Sequence, residues 1–138
     1  FETPQGAAAF QKQWTPKVNQ DLSTKTNKIA DGVYEVALRI TVTVKHEEET
    51  IYLIEVDQAG LFTVEGIEGG QLAQVLNVTC PSMLLPYARE AIDSTLTRGS
   101  YPPLMIPPIN FEALFASAVQ QAAAKKEAAD AEAESSTH

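Results

Sequence analysis

Histidine and cysteine, which most often serve as nucleophile, general base or transition-metal ligand, are scarce in this sequence and lie far apart. The chain has two histidines and one cysteine, with no metal-ligand spacing around them. His46 lies in a charged segment and His138 at the end of the sequence, so we expect both to be solvated. Cys80 continues an apolar helical pattern and has no nearby histidine, which favours packing over nucleophilic use.

Other patterns approach known binding motifs without matching them. Residues 47–49 are three adjacent glutamates, but a calcium loop needs spaced ligands and a turn glycine. The glycines within residues 66–70 lack the spacing of a phosphate-binding loop. The Arg89-Glu90 pair indicates a local ion pair or a subunit contact. We therefore predict that the protein is not an enzyme and needs no metal or other cofactor.

The composition describes an acidic, single-domain protein. Its 138 residues carry a formal net charge of −8, which disfavours nucleic acid as a partner and suits a basic protein. No apolar run approaches the roughly 20 residues that span a bilayer, and a single cysteine fits a reducing compartment. We predict a cytoplasmic protein with no membrane insertion. A domain over residues 1–124 is expected to precede a polar, flexible tail over residues 125–138.

Alternating polar and apolar residues predict the strands. Residues 33–44 alternate strictly, as in a strand with one face in the core. A weaker strand is expected over residues 18–29, joined to the strand of residues 33–44 by a tight turn at residues 31–32. Residues 50–66 are expected to form a third strand, long enough to need a bulge or bend, for which Gly60 is the candidate. Because apolar residues occur on both faces, we expect helices or another subunit to cover each.

Helical spacing and proline positions predict the second half. A first helix is expected to end at Pro81, and Ser82 is expected to cap the next, which runs to residue 98. Asn110 is the expected cap of the last helix. Between these helices, residues 100–109 form an extended, proline-rich arm whose apolar side chains either pack down or bind something. Hairpins followed by helices predict an antiparallel α+β domain.

Several short motifs occur in order along the chain. They are Trp14 with Pro16, ADGVYEV at residues 30–36, GIEG at 66–69, Cys80-Pro81, PYARE at 86–90, Arg98-Gly99 and NFEALF at 110–115. In this order and spacing, the chain resembles the SecB family of protein-export chaperones from Phe1 to about Gln121.

The resemblance implies a four-stranded antiparallel sheet with two main helices, assembled as a homotetramer that is a dimer of dimers. The first of those strands is largely missing from this sequence. It also implies an ATP-independent chaperone that holds non-native precursor proteins and delivers them to the motor SecA, which has a zinc-bearing C-terminal tail. The alternatives are a structural oligomer, or a small-ligand-binding module, without chaperone activity.

Three groups of residues follow from the resemblance and from the apolar arm. The positions matched to SecA docking are Glu2, Leu53 and Glu55. The positions matched to the oligomer interface are Ile54, Val56 and Gln58. The residues predicted to bind clients are Trp14, Met83, Leu84, Tyr101, Leu104 and Ile106. Each group also fits an ordinary structural role, on the sheet surface or in the core.

Overall fold

A computed structural model describes residues 1–11 and 16–136. Its sheet is an antiparallel meander of three strands: β1 (Lys17–Ala30), β2 (Val33–His46) and β3 (Glu49–Thr63). A 3-10 helix precedes the sheet (Gly6–Gln11). Three α-helices follow it: α1 (Gly70–Gln74), α2 (Cys80–Arg98) and α3 (Phe111–Ser136). The predicted antiparallel α+β class is confirmed.

The alternation in β2 decides which face of the sheet is buried. Its core-facing residues are at most 2 % exposed: Val36, Leu38, Ile40, Val42 and Val44. Val42 pairs with Ile54 and Ile40 with Val56, so β3 extends the same apolar face. The helix α2 covers this face with buried residues at helical spacing: Leu84, Leu85, Ala88, Ile92 and Leu96. The core therefore lies between the sheet and α2.

Gly60 serves a close contact between helix and sheet. It pairs with Val36 in regular register, so the bulge, one of the two alternatives predicted for Gly60, is absent. The irregularity in this hairpin lies at the other end, between Val44 and Lys45. A Cβ on Gly60 would lie 3.1 Å from Leu84 Cδ2. The missing side chain therefore lets α2 approach β3 closely.

A π-helical segment (Val75–Thr79) joins α1 and α2 into one continuous helix. The prediction that Pro81 ends one helix and Ser82 caps another is therefore wrong. The Cys80 N–H bonds to the Val75 carbonyl, which is the longer π-type step, directly before Pro81. The proline ring thus follows a widened turn, where its clash with the preceding turn is relieved. Ser82 Oγ donates to the Val78 carbonyl at 2.6 Å inside the helix.

The end of α2 is a Schellman motif with serine at the left-handed position. Ser100 has φ of 69°, and the Tyr101 N–H donates to the Leu96 carbonyl at 2.9 Å. Gly99 has φ of −85°, so it does not supply the positive φ. A Cβ on Gly99 would lie 3.0 Å from the Phe1 ring. Glycine at this position therefore makes room for Phe1.

The last helix is attached mainly by its first turn. Asn110 Oδ1 accepts a hydrogen bond from the Ala113 N–H at 3.0 Å, so the predicted cap is confirmed. Phe111 is buried, whereas Leu114 and Val119 are about half exposed. The helix continues to Ser136, through the segment predicted to be a flexible tail. The division of the chain after residue 124 stays a prediction.

Candidate functional site

The face of the sheet opposite α2 brings together the three residues predicted for SecA docking. The Glu2 N–H donates to the Leu53 carbonyl at 2.8 Å, and the Leu53 N–H donates back to Glu2 at 2.9 Å. Directly opposed residues of an antiparallel pair share a face, and Glu55 follows two positions later on that face. We call the surface of Glu2, Arg39, Thr41, Leu53, Glu55 and Asp57 the open face. Its docking role stays a prediction.

Arg39 organises the charges of the open face. Its Nε and Nη2 donate to the two carboxylate oxygens of Asp57 at 2.7 and 2.9 Å. Arg39 Nε also lies 3.8 Å from Glu55 Oε1, and Thr41 Oγ1 donates to Glu55 Oε2 at 2.8 Å. The hydrogen bond from Arg39 holds the pKa of Asp57 below its usual value. Asp57 is therefore neutralised by a fixed partner.

Arg39, Thr41 and Asp57 were not predicted as site residues. No motif marks them, because they come from two strands and meet only across the sheet. The signal that could have found them is the register itself, which pairs Arg39 with Asp57 and Thr41 with Glu55. A cross-strand pair of opposite charges is a recognised unit of sheet stabilisation.

Four aromatic rings form a cluster on the α2 side of β3. We call Phe1, Phe10, Tyr52 and Tyr101 the aromatic cluster. The ring of Tyr101 lies 5.0 Å from Tyr52, 4.9 Å from Phe10 and 5.9 Å from Phe1, measured between centroids. The tyrosines are buried, whereas Phe1 and Phe10 are 46 % and 51 % exposed. Burial raises the pKa of Tyr52 to about 12 and also raises the pKa of Tyr101.

The six residues predicted to bind clients differ in their accessibility. Met83 is 58 % exposed on α2, and Leu104 is half-buried against the core. Leu84, Tyr101 and Ile106 are buried within the chain, and Trp14 lies outside the described residues. The accessible aromatic surface next to Tyr101 comes instead from Phe1 and Phe10. These two were missed as site residues, although the clustering of aromatics near the start of the sequence signals them.

Two side chains of α2 fasten the proline-rich arm. Asp93 Oδ1 accepts hydrogen bonds from the backbone N–H groups of Leu104 at 3.0 Å and Met105 at 3.2 Å. Arg89 Nη1 donates to the Ile106 carbonyl at 3.0 Å, so this residue contacts the arm rather than Glu90. Met105 is left 73 % exposed and has φ of 51°. The arm is thus packed down, with one methionine directed to the surface.

The residues predicted for the oligomer interface lie on the covered side of the sheet. Ile54 is 1 % exposed, while Val56 and Gln58 are half-buried. Gln58 Nε2 donates to the Ala59 carbonyl at 3.4 Å. All three belong to the face on which α2 packs, so they offer little surface to a second chain. Their role at an interface stays a prediction.

The described residues contain little that resembles a catalytic centre. Burial raises the pKa of the Cys80 thiol, which disfavours the reactive thiolate. The His46 side chain is only 15 % exposed, so the expectation of full solvation is wrong for this residue; His138 lies outside the described residues. Within residues 1–11 and 16–136, no group of His, Cys, Asp and Glu side chains could hold a metal ion. In the same part of the chain, no helix combines the length and apolarity needed to cross a membrane.

Comparison with known proteins gives consistent matches. A sequence model of the family described as "Preprotein translocase subunit SecB" matches residues 1–122. The chain is 49 % identical over 134 residues to the Protein-export protein SecB of Cellvibrio japonicus (strain Ueda107), covering 97 % of this chain and 80 % of that protein. It is also 49 % identical over 138 residues to the Protein-export protein SecB of Marinobacter nauticus (strain ATCC 700491 / DSM 11845 / VT8), covering 100 % and 82 %.

A solved structure shares the fold. It is a SecB-like chaperone of Mycobacterium tuberculosis in complex with a ChAD peptide from an antitoxin. The two structures superimpose with a TM-score of 0.53 at 20 % sequence identity, over 67 % of this chain and 74 % of that chain. At this identity, the similarity concerns the arrangement of strands and helices.

Proposed function

The chain belongs to the SecB family of protein-export chaperones, and on that premise we propose that it holds precursor proteins in a non-native state and delivers them to SecA. The observation that carries the delivery step is the bridge between Glu2 and Leu53, which aligns the three predicted docking residues on the open face. The holding step relies on apolar side chains exposed on the other side of β3. The protein acts without ATP and without catalysis of its own.

The open face suits a basic partner. Glu2 and Glu55 provide carboxylates, and Leu53 provides an apolar contact between them. Carboxylates at the edge of a contact attract a basic segment, and this attraction weakens as salt is added. A basic, zinc-bearing tail of SecA has the complementary charge.

The aromatic cluster and the arm suit an extended, non-native client. Phe1 and Phe10 expose about half of their surface while their neighbours Tyr52 and Tyr101 hold the rings in place. Met83 and Met105 add flexible apolar side chains that adapt to different partners. An unfolded chain presents apolar residues at irregular spacing, and such a surface binds them without requiring a fixed sequence.

Refolding of a denatured precursor tests the holding step. We expect the wild-type protein to slow refolding without ATP, and Phe10→Ala to weaken client affinity roughly tenfold because it removes exposed aromatic surface. Val119→Ala is the matched control, since Val119 is also 51 % exposed but lies on α3. A wild-type protein that leaves refolding unchanged would favour a structural oligomer or a ligand-binding module. If Phe10→Ala and Val119→Ala change client affinity equally, the aromatic cluster is not part of the client site.

The proposal includes a location and an assembly. We place the protein in the cytoplasm, where precursors are held before export, and we expect it to form a homotetramer. Four copies multiply weak client sites, so a long unfolded chain that engages several of them binds more tightly than any single site allows.

A further inference from the structure

We propose that Arg39 is an internal competitor on the open face, which limits how tightly a cationic segment of a partner binds to Glu55 and Asp57. This inference rests on the proposed docking of SecA to the open face. It adds a residue that sets the strength of docking and therefore the ease of release. The partner recognised here is a protein segment rich in lysine or arginine.

The guanidinium of Arg39 lies close to two carboxylates. Its guanidinium makes a two-pronged contact with Asp57 at 2.7 and 2.9 Å and lies 3.8 Å from Glu55. All three side chains are about half exposed, at 54 % for Arg39, 50 % for Asp57 and 45 % for Glu55. A cation of a partner can therefore reach the same oxygens that Arg39 contacts. The two cations cannot use one carboxylate edge fully at the same time.

The two carboxylates near Arg39 differ in how far their negative charge is compensated. Asp57 is matched by Arg39, while Glu55 has Thr41 as its hydrogen-bond donor and keeps its charge available. A partner cation that approaches Glu55 also meets the repulsion of Arg39. Removal of Arg39 leaves two unmatched carboxylates, and removal of Asp57 leaves Arg39 free to turn to Glu55. The two changes are predicted to act in opposite directions.

The test is the affinity of purified SecA for the wild-type protein and five variants, measured by titration calorimetry at low and at physiological salt. We expect Arg39→Gln to bind SecA about three- to tenfold more tightly, with a steeper salt dependence. We expect Asp57→Asn to bind about three- to tenfold more weakly. The double variant removes both members of the pair and should return close to wild type. Thermal unfolding of each variant checks that the fold is kept.

Lys25→Gln is the matched control for the loss of one positive charge. Lys25 lies on the same face, opposite Ala37, and Ala37 pairs with Ala59. Strand spacing and rise place it roughly 16 Å from Glu55, beyond the Debye length of about 8 Å at physiological salt. At physiological salt, the affinity of Lys25→Gln for SecA should therefore stay close to that of the wild-type protein.

Glu55→Gln separates failure of the inference from failure of the docking proposal. If Glu55→Gln binds SecA as well as wild type, docking to the open face is wrong. If Glu55→Gln weakens binding but Arg39→Gln gains no more than Lys25→Gln, docking stands and the competitor role of Arg39 is wrong. If Arg39→Gln and Asp57→Asn shift affinity in the same direction, the competition is also excluded.

Discussion

Tyr52 shows at the scale of one residue how a strand position becomes a buried aromatic contact. It pairs with Val44 on the covered face of the sheet and packs beside the rings of Tyr101 and Phe1. It is only 3 % exposed. A phenol in this environment resists ionisation, because the charged form would lose its hydration.

We expect Tyr52 to make stability fall at high pH. Its pKa of about 12 in the folded chain exceeds the usual value of about 10 for an unfolded chain. The unfolded state therefore loses its proton first as the pH rises. The contribution of Tyr52 is complete below about pH 10 and is lost between about pH 10 and 12, by up to roughly 2–3 kcal/mol. Urea unfolding of wild type and Tyr52→Phe over this range measures it.

Tyr52→Phe keeps the aromatic ring and removes only the ionisable hydroxyl, so the difference between the two proteins isolates that group. Tyr52→Phe should lose less stability than wild type above about pH 10. A constant difference between wild type and Tyr52→Phe across the range would show that burial does not shift this pKa.

At the residue scale, the resemblance supplied positions for a docking site, whereas contacts that depend on strand register could not be predicted from sequence. Glu2, Leu53 and Glu55 were predicted as a group, and the structure aligns them on one face. Arg39 had no distinguishing neighbour in the sequence, because its partner Asp57 is eighteen positions away. Accessibility was also unpredictable, since Tyr101 and Ile106 belong to an apolar arm whose packing depends on Arg89 and Asp93.

At the scale of elements, the proline-rich arm is held by few hydrogen bonds. Residues 99–110 contain no helix or strand, so the arm lacks the backbone ladder of regular structure. Asp93 supplies two hydrogen bonds and Arg89 supplies one. Hydrogen bonds to a charged group contribute about 1.5–3 kcal/mol each. The loss of Asp93 should therefore loosen the arm before it affects the sheet.

Asp93→Ala is expected to speed hydrogen exchange at the Leu104 and Met105 amides. The expected increase is roughly ten- to hundredfold, because each amide loses its acceptor and the arm opens more often. Nuclear magnetic resonance measures the two amides directly. Asp93→Asn keeps a side-chain oxygen as acceptor and should show a smaller increase. Unchanged exchange in Asp93→Ala would show that the Arg89 hydrogen bond and the packing of Ile106 hold the arm without Asp93.

Element-scale prediction succeeded for strands and was less complete for helices. The strict alternation of residues 33–44 fixes one face in the core, so β2 and its partners follow from pattern alone. The π-helical segment was not predictable, because proline at residue 81 ordinarily ends a helix and only the widened turn accommodates it. The close approach of α2 at Gly60 was not predictable for a similar reason. A glycine that admits a helix and one that forms a bulge look alike in sequence.

At the scale of the whole molecule, one chain leaves apolar surface uncovered. Tyr87 is 66 % exposed on the outer side of α2, and Leu61 is 69 % exposed on β3. The predicted interface residues Ile54 and Val56 lie beneath α2 instead. We expect them to influence assembly by setting the position of that helix, whose outer side is the surface that we expect to meet a partner chain.

We expect the protein to form a particle of about 60 kDa in light scattering, which corresponds to four chains of 15.0 kDa. Tyr87→Glu places a charge on the outer side of α2 and should lower the mass to that of a dimer or a monomer. Val119→Glu introduces the same charge on α3 and should keep the wild-type mass. A wild-type monomer would contradict the tetramer, and an unchanged mass for Tyr87→Glu would exclude this side of α2 from the interface.

The bridge between Glu2 and Leu53 connects the two sides of the sheet through adjacent residues. Phe1 reaches the aromatic cluster on one side, and Glu2 belongs to the open face on the other. We therefore expect a client that displaces the Phe1 ring to affect the neighbouring backbone of Glu2. Such linkage is thermodynamically reciprocal: if a bound client changes the affinity for the docking partner by some factor, the partner changes client affinity by the same factor. We therefore expect binding of a client and docking of the partner to influence each other through residues 1 and 2.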